Sequence, residues 1–211
     1  MPLFPPSGVY RLTLAVALWA LAFGAQAFSV SISPGTQAIY LRVGTGSAVG
    51  NYQTGGTMQN NTTVDTVRAT LSAAALVAGT PVAMVSSSSQ GNSFYDGFSF
   101  CTAPAQVYIG GFLRRPQGTS TAALVANVPA SLSNGTGQTI AFSSIRWTSS
   151  GNGESGVQPI PAGTFAPGAQ SLASFRANTW QESCHAFTYA NASVVAAGTY
   201  TGRVVYTLTA P

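Results

Sequence analysis

Between positions 200 and 210 the chain alternates without a break. Tyr200, Gly202, Val204, Tyr206, Leu208 and Ala210 fall on one face, and Thr201, Arg203, Val205, Thr207 and Thr209 on the other. A helix would scatter these residues around its circumference. A strand, with its period of two, sorts them into an apolar and a polar face. The same period recurs where Phe28, Val30 and Ile32 alternate with Ser29, Ser31 and Ser33, and where Ile39, Leu41 and Val43 alternate with Tyr40 and Arg42. Pro34-Gly35 turns the chain between these two segments. Further strands are predicted over 64–71, 81–85, 98–102, 105–112, 122–128, 139–147, 171–176 and 182–189, most of them bounded by Gly, Pro, Ser, Thr or Asn. Residues 72–78 read as one helical turn or a loop. Residues 44–63 are rich in Gly, Ser, Thr and Asn, and Asp96-Gly97 marks a hairpin turn between aromatics. About ten short strands at this spacing predict an all-β fold, an immunoglobulin-like β-sandwich with the 200–209 strand central to it.

Charge narrows the function classes. Charged residues make up 6% of the chain, against roughly 25% in an average soluble protein. All eight basic residues are Arg, the acids number four, and Lys is absent. Glu, Lys and Leu are scarce, which argues against a bundle or coiled coil. At 45% hydrophobic residues, the chain carries enough apolar surface to build a core rather than stay disordered. The net charge of +4 comes from scattered Arg and forms no nucleic-acid patch.

The N-terminus reads as an export signal. Arg11 precedes an apolar run over 12–25, too short to span a bilayer but fit for a signal core. Ala25-Gln26-Ala27 supplies small residues for cleavage after Ala27. Removing 27 of 211 residues leaves 28–211 as a single predicted domain, with no membrane span after signal cleavage. Cys101 and Cys184 form an even pair in an exported chain, too far apart for CxxC chemistry, and predict one disulfide.

Catalytic and metal motifs are sparse. His185 is the only histidine and follows Cys184. Neighbours in a strand point to opposite faces, so a core-facing cystine predicts an outward His185. Asp65, Asp96, Glu154 and Glu182 are dispersed, and no GxSxG elbow is present. One histidine and four acids do not compose a typical zinc site. Residues 151–156 match GxGxxG formally, but no helix pattern follows, so they read as a loop. The chain is read as a non-enzyme without a cofactor or metal.

The C-terminal segment 197–211 resembles the last strand of bacterial fimbrial subunits of the chaperone–usher kind. Gly198 sits about fourteen positions from the end and is followed by the alternating apolar residues Tyr200, Gly202, Val204, Tyr206 and Leu208. The resemblance implies a pilin-like sandwich lacking one strand and held by a periplasmic chaperone. It also implies completion by a neighbour's N-terminal extension, and Phe28, Val30 and Ile32 resemble such a donor segment. Composition supports self-association or association with homologous subunits independently, because edge strands are normally protected by charge, especially Lys. The expectation is a secreted structural or adhesive subunit of a bacterial fimbrium or outer envelope, reached through the periplasm. The other reading of the same residues is a monomeric carbohydrate- or ligand-binding sandwich, with 28–33 an ordinary first strand. In that case Tyr95, Trp147, Trp180 and Tyr189 are candidates to stack on sugars.

Overall fold

The computed structural model describes residues 29–45, 48–49, 57–58 and 64–211. The predicted export signal and Phe28 lie outside them. In chain order the strands begin with β1 (Ser29–Ser31), β2 (Ala38–Val43), β3 (Ala48–Val49), β4 (Thr57–Met58) and β5 (Val67–Arg68). Next come β6 (Val82–Ala83), β7 (Val85–Ser86), β8 (Val107–Arg114), β9 (Thr121–Val128), β10 (Ser131–Ser133) and β11 (Thr139–Ala141). The last are β12 (Ile145–Ser150), β13 (Gly163–Thr164), β14 (Gly168–Arg176), β15 (Thr179–Tyr189) and β16 (Val205–Thr209).

The 72–78 segment is a helix, α1 (Ala73–Ala78). The Ser72 hydroxyl accepts from the Ala75 amide at 3.2 Å and caps its start. Gly79, at φ 66°, ends it in the left-handed conformation that glycine adopts without steric cost.

Two sheets form the sandwich, and β3-β4, β5-β7 and β10-β11 add three two-stranded ladders among the described residues. Among the described residues the larger runs β13-β12-β15-β8-β2, with β1 and β6 also paired to β15. The smaller is β14-β9-β16. Their facing sides enclose a core of Val107, Ile109 and Leu113 from β8, Leu124 and Ala126 from β9, and Phe142, Trp147, Phe165, Phe175 and Phe187. This gives the expected all-β, sandwich-like arrangement.

The larger sheet is also buried on its other side. Alternate residues of β8 and β15, namely Tyr108, Phe112, Trp180 and Cys184, join Ile32, Tyr40, Phe100 and Cys101 in a second cluster. The cover is the segment 87–106, tied down by the Cys101–Cys184 disulfide, whose Cα atoms are 5.5 Å apart. Within it the predicted Asp96-Gly97 turn closes with Ser93 N–H donating to Phe98 O at 2.7 Å. The Phe98 amide donates to Asp96 Oδ1 at 2.9 Å. All of β8 is buried, as its near-continuous apolar run suits a strand covered on both faces.

Several predicted strands are corrected. Residues 98–102 contribute one bridge, Asn92 to Ser99, rather than a strand. The 64–71 strand shrinks to β5. The 139–147 strand is broken by a 3-10 turn at Phe142–Ser144. That bend turns Phe142 into the core, edge-on to Phe165 at 5.8 Å. The 200–209 strand shortens to β16, because Thr201 bridges instead to Ser133 with both amides donating at 2.9 Å. It is not central: among the described residues β16 pairs with β9 alone.

Candidate assembly site

Two edge strands run along the same flank. β16 pairs with β9 from Val205 opposite Asn127 to Thr209 opposite Ala123. β2 pairs with β8 from Ala38 opposite Arg114 to Val43 opposite Ile109. Neither has a partner on its other side among the described residues. The two strands pack beside each other and leave a groove of about 240 Å³. Ile39, Tyr40 and Leu41 line it from β2, and Tyr206, Thr207 and Leu208 from β16.

The alternation read from the sequence explains the lining. Val204, Tyr206, Leu208 and Ala210 pack against the inter-sheet core, while Val205 is 46% exposed. Leu41 and Val43 turn to the same core. Ile39 shares their face but stays 38% exposed at the groove mouth. The Tyr206 phenol has no hydrogen-bond partner among the described residues, and burial pushes its pKa upward.

The two glycines of the C-terminal segment differ. A Cβ at Gly202 would lie 2.5 Å from Cε2 of Phe142 and 2.9 Å from Cδ2 of Leu132, so the backbone approaches that ring because no side chain is there. A Cβ at Gly198 meets nothing nearer than Asn134 Nδ2 at 3.5 Å. Tyr200 bends away from the strand line, its hydroxyl donating to Ala196 O at 2.9 Å.

The structure does not bring the candidate donor residues to this groove. β1 pairs with β15 of its own chain, Ser29 opposite Gln181 and Val30 opposite Trp180. Ile32 is 5% exposed in the second cluster, its amide donating to Asn178 O at 2.9 Å. Val30 packs against the same cluster, on the far side of the larger sheet from β16.

His185 is a correction. It does lie on the opposite face from Cys184, but that face is the inter-sheet core, and His185 is fully buried. Its ring stacks on Trp147 at 5.7 Å, with Nε2 3.4 Å from Ile160 O. Burial lowers its pKa to about 4. Glu182, also fully buried, lies on the other face. It accepts from the Tyr108 hydroxyl and from Trp180 Nε1. Burial raises its pKa, and hydrogen bonds from Ser93, Tyr108 and Trp180 oppose the rise. The aromatics proposed for sugar stacking are mostly internal: Trp147, Trp180 and Tyr189 are buried and Tyr95 half-buried. Sequence reasoning missed β2 as the groove's second wall, since only tertiary packing sets it beside β16. No protein-family model, curated protein or solved structure matches this chain.

Proposed function

We propose that this chain is a secreted structural or adhesive subunit of a bacterial surface, and that copies assemble by adding a strand to the open edge of β16. The observation that carries the reading is the β16 edge, unpaired among the described residues, above an apolar groove shared with β2. An unpaired edge recruits strands unless charge protects it, and β16 (Val-Tyr-Thr-Leu-Thr) carries none. A strand entering beside β16 would place alternate apolar side chains against Ile39, Leu41 and Leu208. The disulfide and the apolar N-terminal run support export to an oxidising space. The strand offered is the 28–33 segment of a neighbour. β1 pairs with its own β15 at three register positions, so its release breaks a short ladder and withdraws Ile32 from the second cluster.

The test is the assembly state of the mature protein, followed on SDS gels with and without boiling and by negative-stain microscopy. A boiling-sensitive ladder with thin fibres is expected. Ile39→Lys, at the half-open groove mouth, is expected to leave a folded monomer and abolish the ladder. Deleting residues 28–33 is expected to abolish the ladder if that segment is donated, at a cost in stability because Ile32 is lost from the second cluster. A folded wild-type monomer that forms no ladder at any concentration overturns the proposal.

A further inference from the structure

A second groove, of about 480 Å³, lies away from the β16 edge. It opens where the β5–β7 ladder runs beside β6. Thr66, Arg68 and Thr70 alternate along the chain and are all exposed, so they share one face, while Asp65, Val67 and Ala69 are half-buried. Opposite Arg68 stands Val85, 54% exposed. Beside Thr66 stands Ser87, whose amide donates to Thr66 O at 2.8 Å. Val82 and Ala83 complete the apolar part of the lining.

Arg68 is the only charged residue lining this groove, and no hydrogen bond or ion pair engages it among the described residues. No ion pair joins Asp65 to Arg68 among the described residues. Asp65 Oδ2 accepts from the Thr45 amide at 2.6 Å, and Oδ1 from the Ser87 hydroxyl at 3.3 Å. A free guanidinium, hydroxyls and an exposed valine therefore meet in one open trough.

We infer that this groove binds a saccharide bearing a carboxylate, a uronate, with Arg68 as its anchor. The planar guanidinium matches a carboxylate through two parallel hydrogen bonds. Thr66 and Thr70 suit sugar hydroxyls, and Val85 and Val82 suit the C–H face of a pyranose. The volume falls within the ~300–1,000 Å³ of small-ligand sites. One cation matches the single charge of a uronate, whereas a phosphate or nucleotide would leave charge uncompensated. The inference uses no residue of the β16 groove, so it stands or falls separately from strand assembly.

The test is titration of the disulfide-bonded mature protein with tri-galacturonate, followed by calorimetry and by amide shifts. Galactotriose serves as the neutral comparator and acetate as the free carboxylate. Saturable binding is expected, with shifts centred on residues 66–70 and 85–87. Arg68→Gln is expected to weaken it about tenfold or more. Arg68→Lys, which keeps the charge but not the fork, is expected to weaken it to a smaller extent. Arg176→Gln, an exposed side chain at the end of β14, is the control and is expected to change nothing. Absence of binding overturns the inference. So does equal binding of galactotriose, full competition by equimolar acetate, shifts elsewhere, or indifference to both Arg68 variants.

Discussion

His185 sits with its ring against Trp147, and its Nδ1 has no partner among the described residues. Protonation there places an uncompensated charge between the sheets. Its pKa in the fold, about 4, is below the unfolded value of about 6.5. The neutral ring's contribution is therefore complete above about pH 6.5 and is lost as pH falls toward 4. The pKa difference corresponds to about 3 kcal/mol. Glu182 has the opposite sign. Its pKa is raised, so its contribution is present at acid pH and lost as pH rises through the folded value. Urea unfolding between pH 4 and 7 is expected to show stability rising with pH, and His185→Phe is expected to flatten most of that rise. Glu182→Ala leaves the Tyr108 hydroxyl and Trp180 Nε1 without their acceptor inside the second cluster. It is expected to cost about 2–4 kcal/mol in the same measurement.

At the scale of elements, the C-terminal segment shows what alternation does and does not encode. The alternation correctly sorted Val204, Tyr206 and Leu208 onto the core face. It did not show that Tyr200 and Thr201 leave the ladder, because the bridge to Ser133 that draws them off comes from a strand about seventy residues earlier. Gly202 occupies that departure point, with Phe142 and Leu132 against its backbone. Gly202→Ala is expected to destabilise the fold by about 1–3 kcal/mol through overpacking. Gly198→Ala, whose Cβ would meet neighbours only at ordinary van der Waals distance, is expected to stay within about 0.5 kcal/mol. Thermal unfolding of the two variants side by side checks the contrast. The strands β8, β9, β14 and β15 were legible to within a few residues because each is long and patterned. His185 was misplaced for a definite reason. Alternation assigns residues to faces, but whether a second face is covered depends on a remote segment, here 87–106. The groove was half legible: β16 announced itself, and β2 as its other wall did not.

At the scale of the molecule, the disulfide closes a separation of 83 residues and fastens the 87–106 cover to β15. Restricting so long a loop in the unfolded chain stabilises the fold by about 4–5 kcal/mol in the chain-entropy account. The double variant Cys101→Ala with Cys184→Ala is expected to lose about that much in urea unfolding. Trp180, 1% exposed under the cover, is expected to red-shift its fluorescence together with the main transition, at lower urea than in the wild type. Strand assembly in the variant is expected to weaken as well, since Tyr40 of β2 both lines the assembly groove and packs in the cluster under the cover.

β15 gives Phe187 and His185 to one cluster and Trp180 and Cys184 to the other. It is also the strand that β1, β6, β8 and β12 all share. Lifting either layer therefore exposes a strand that the remaining layer still needs. In hydrogen exchange, the slowest amides should cluster near residues 183–187 and exchange only with global opening, so that the two clusters behave as one cooperative unit.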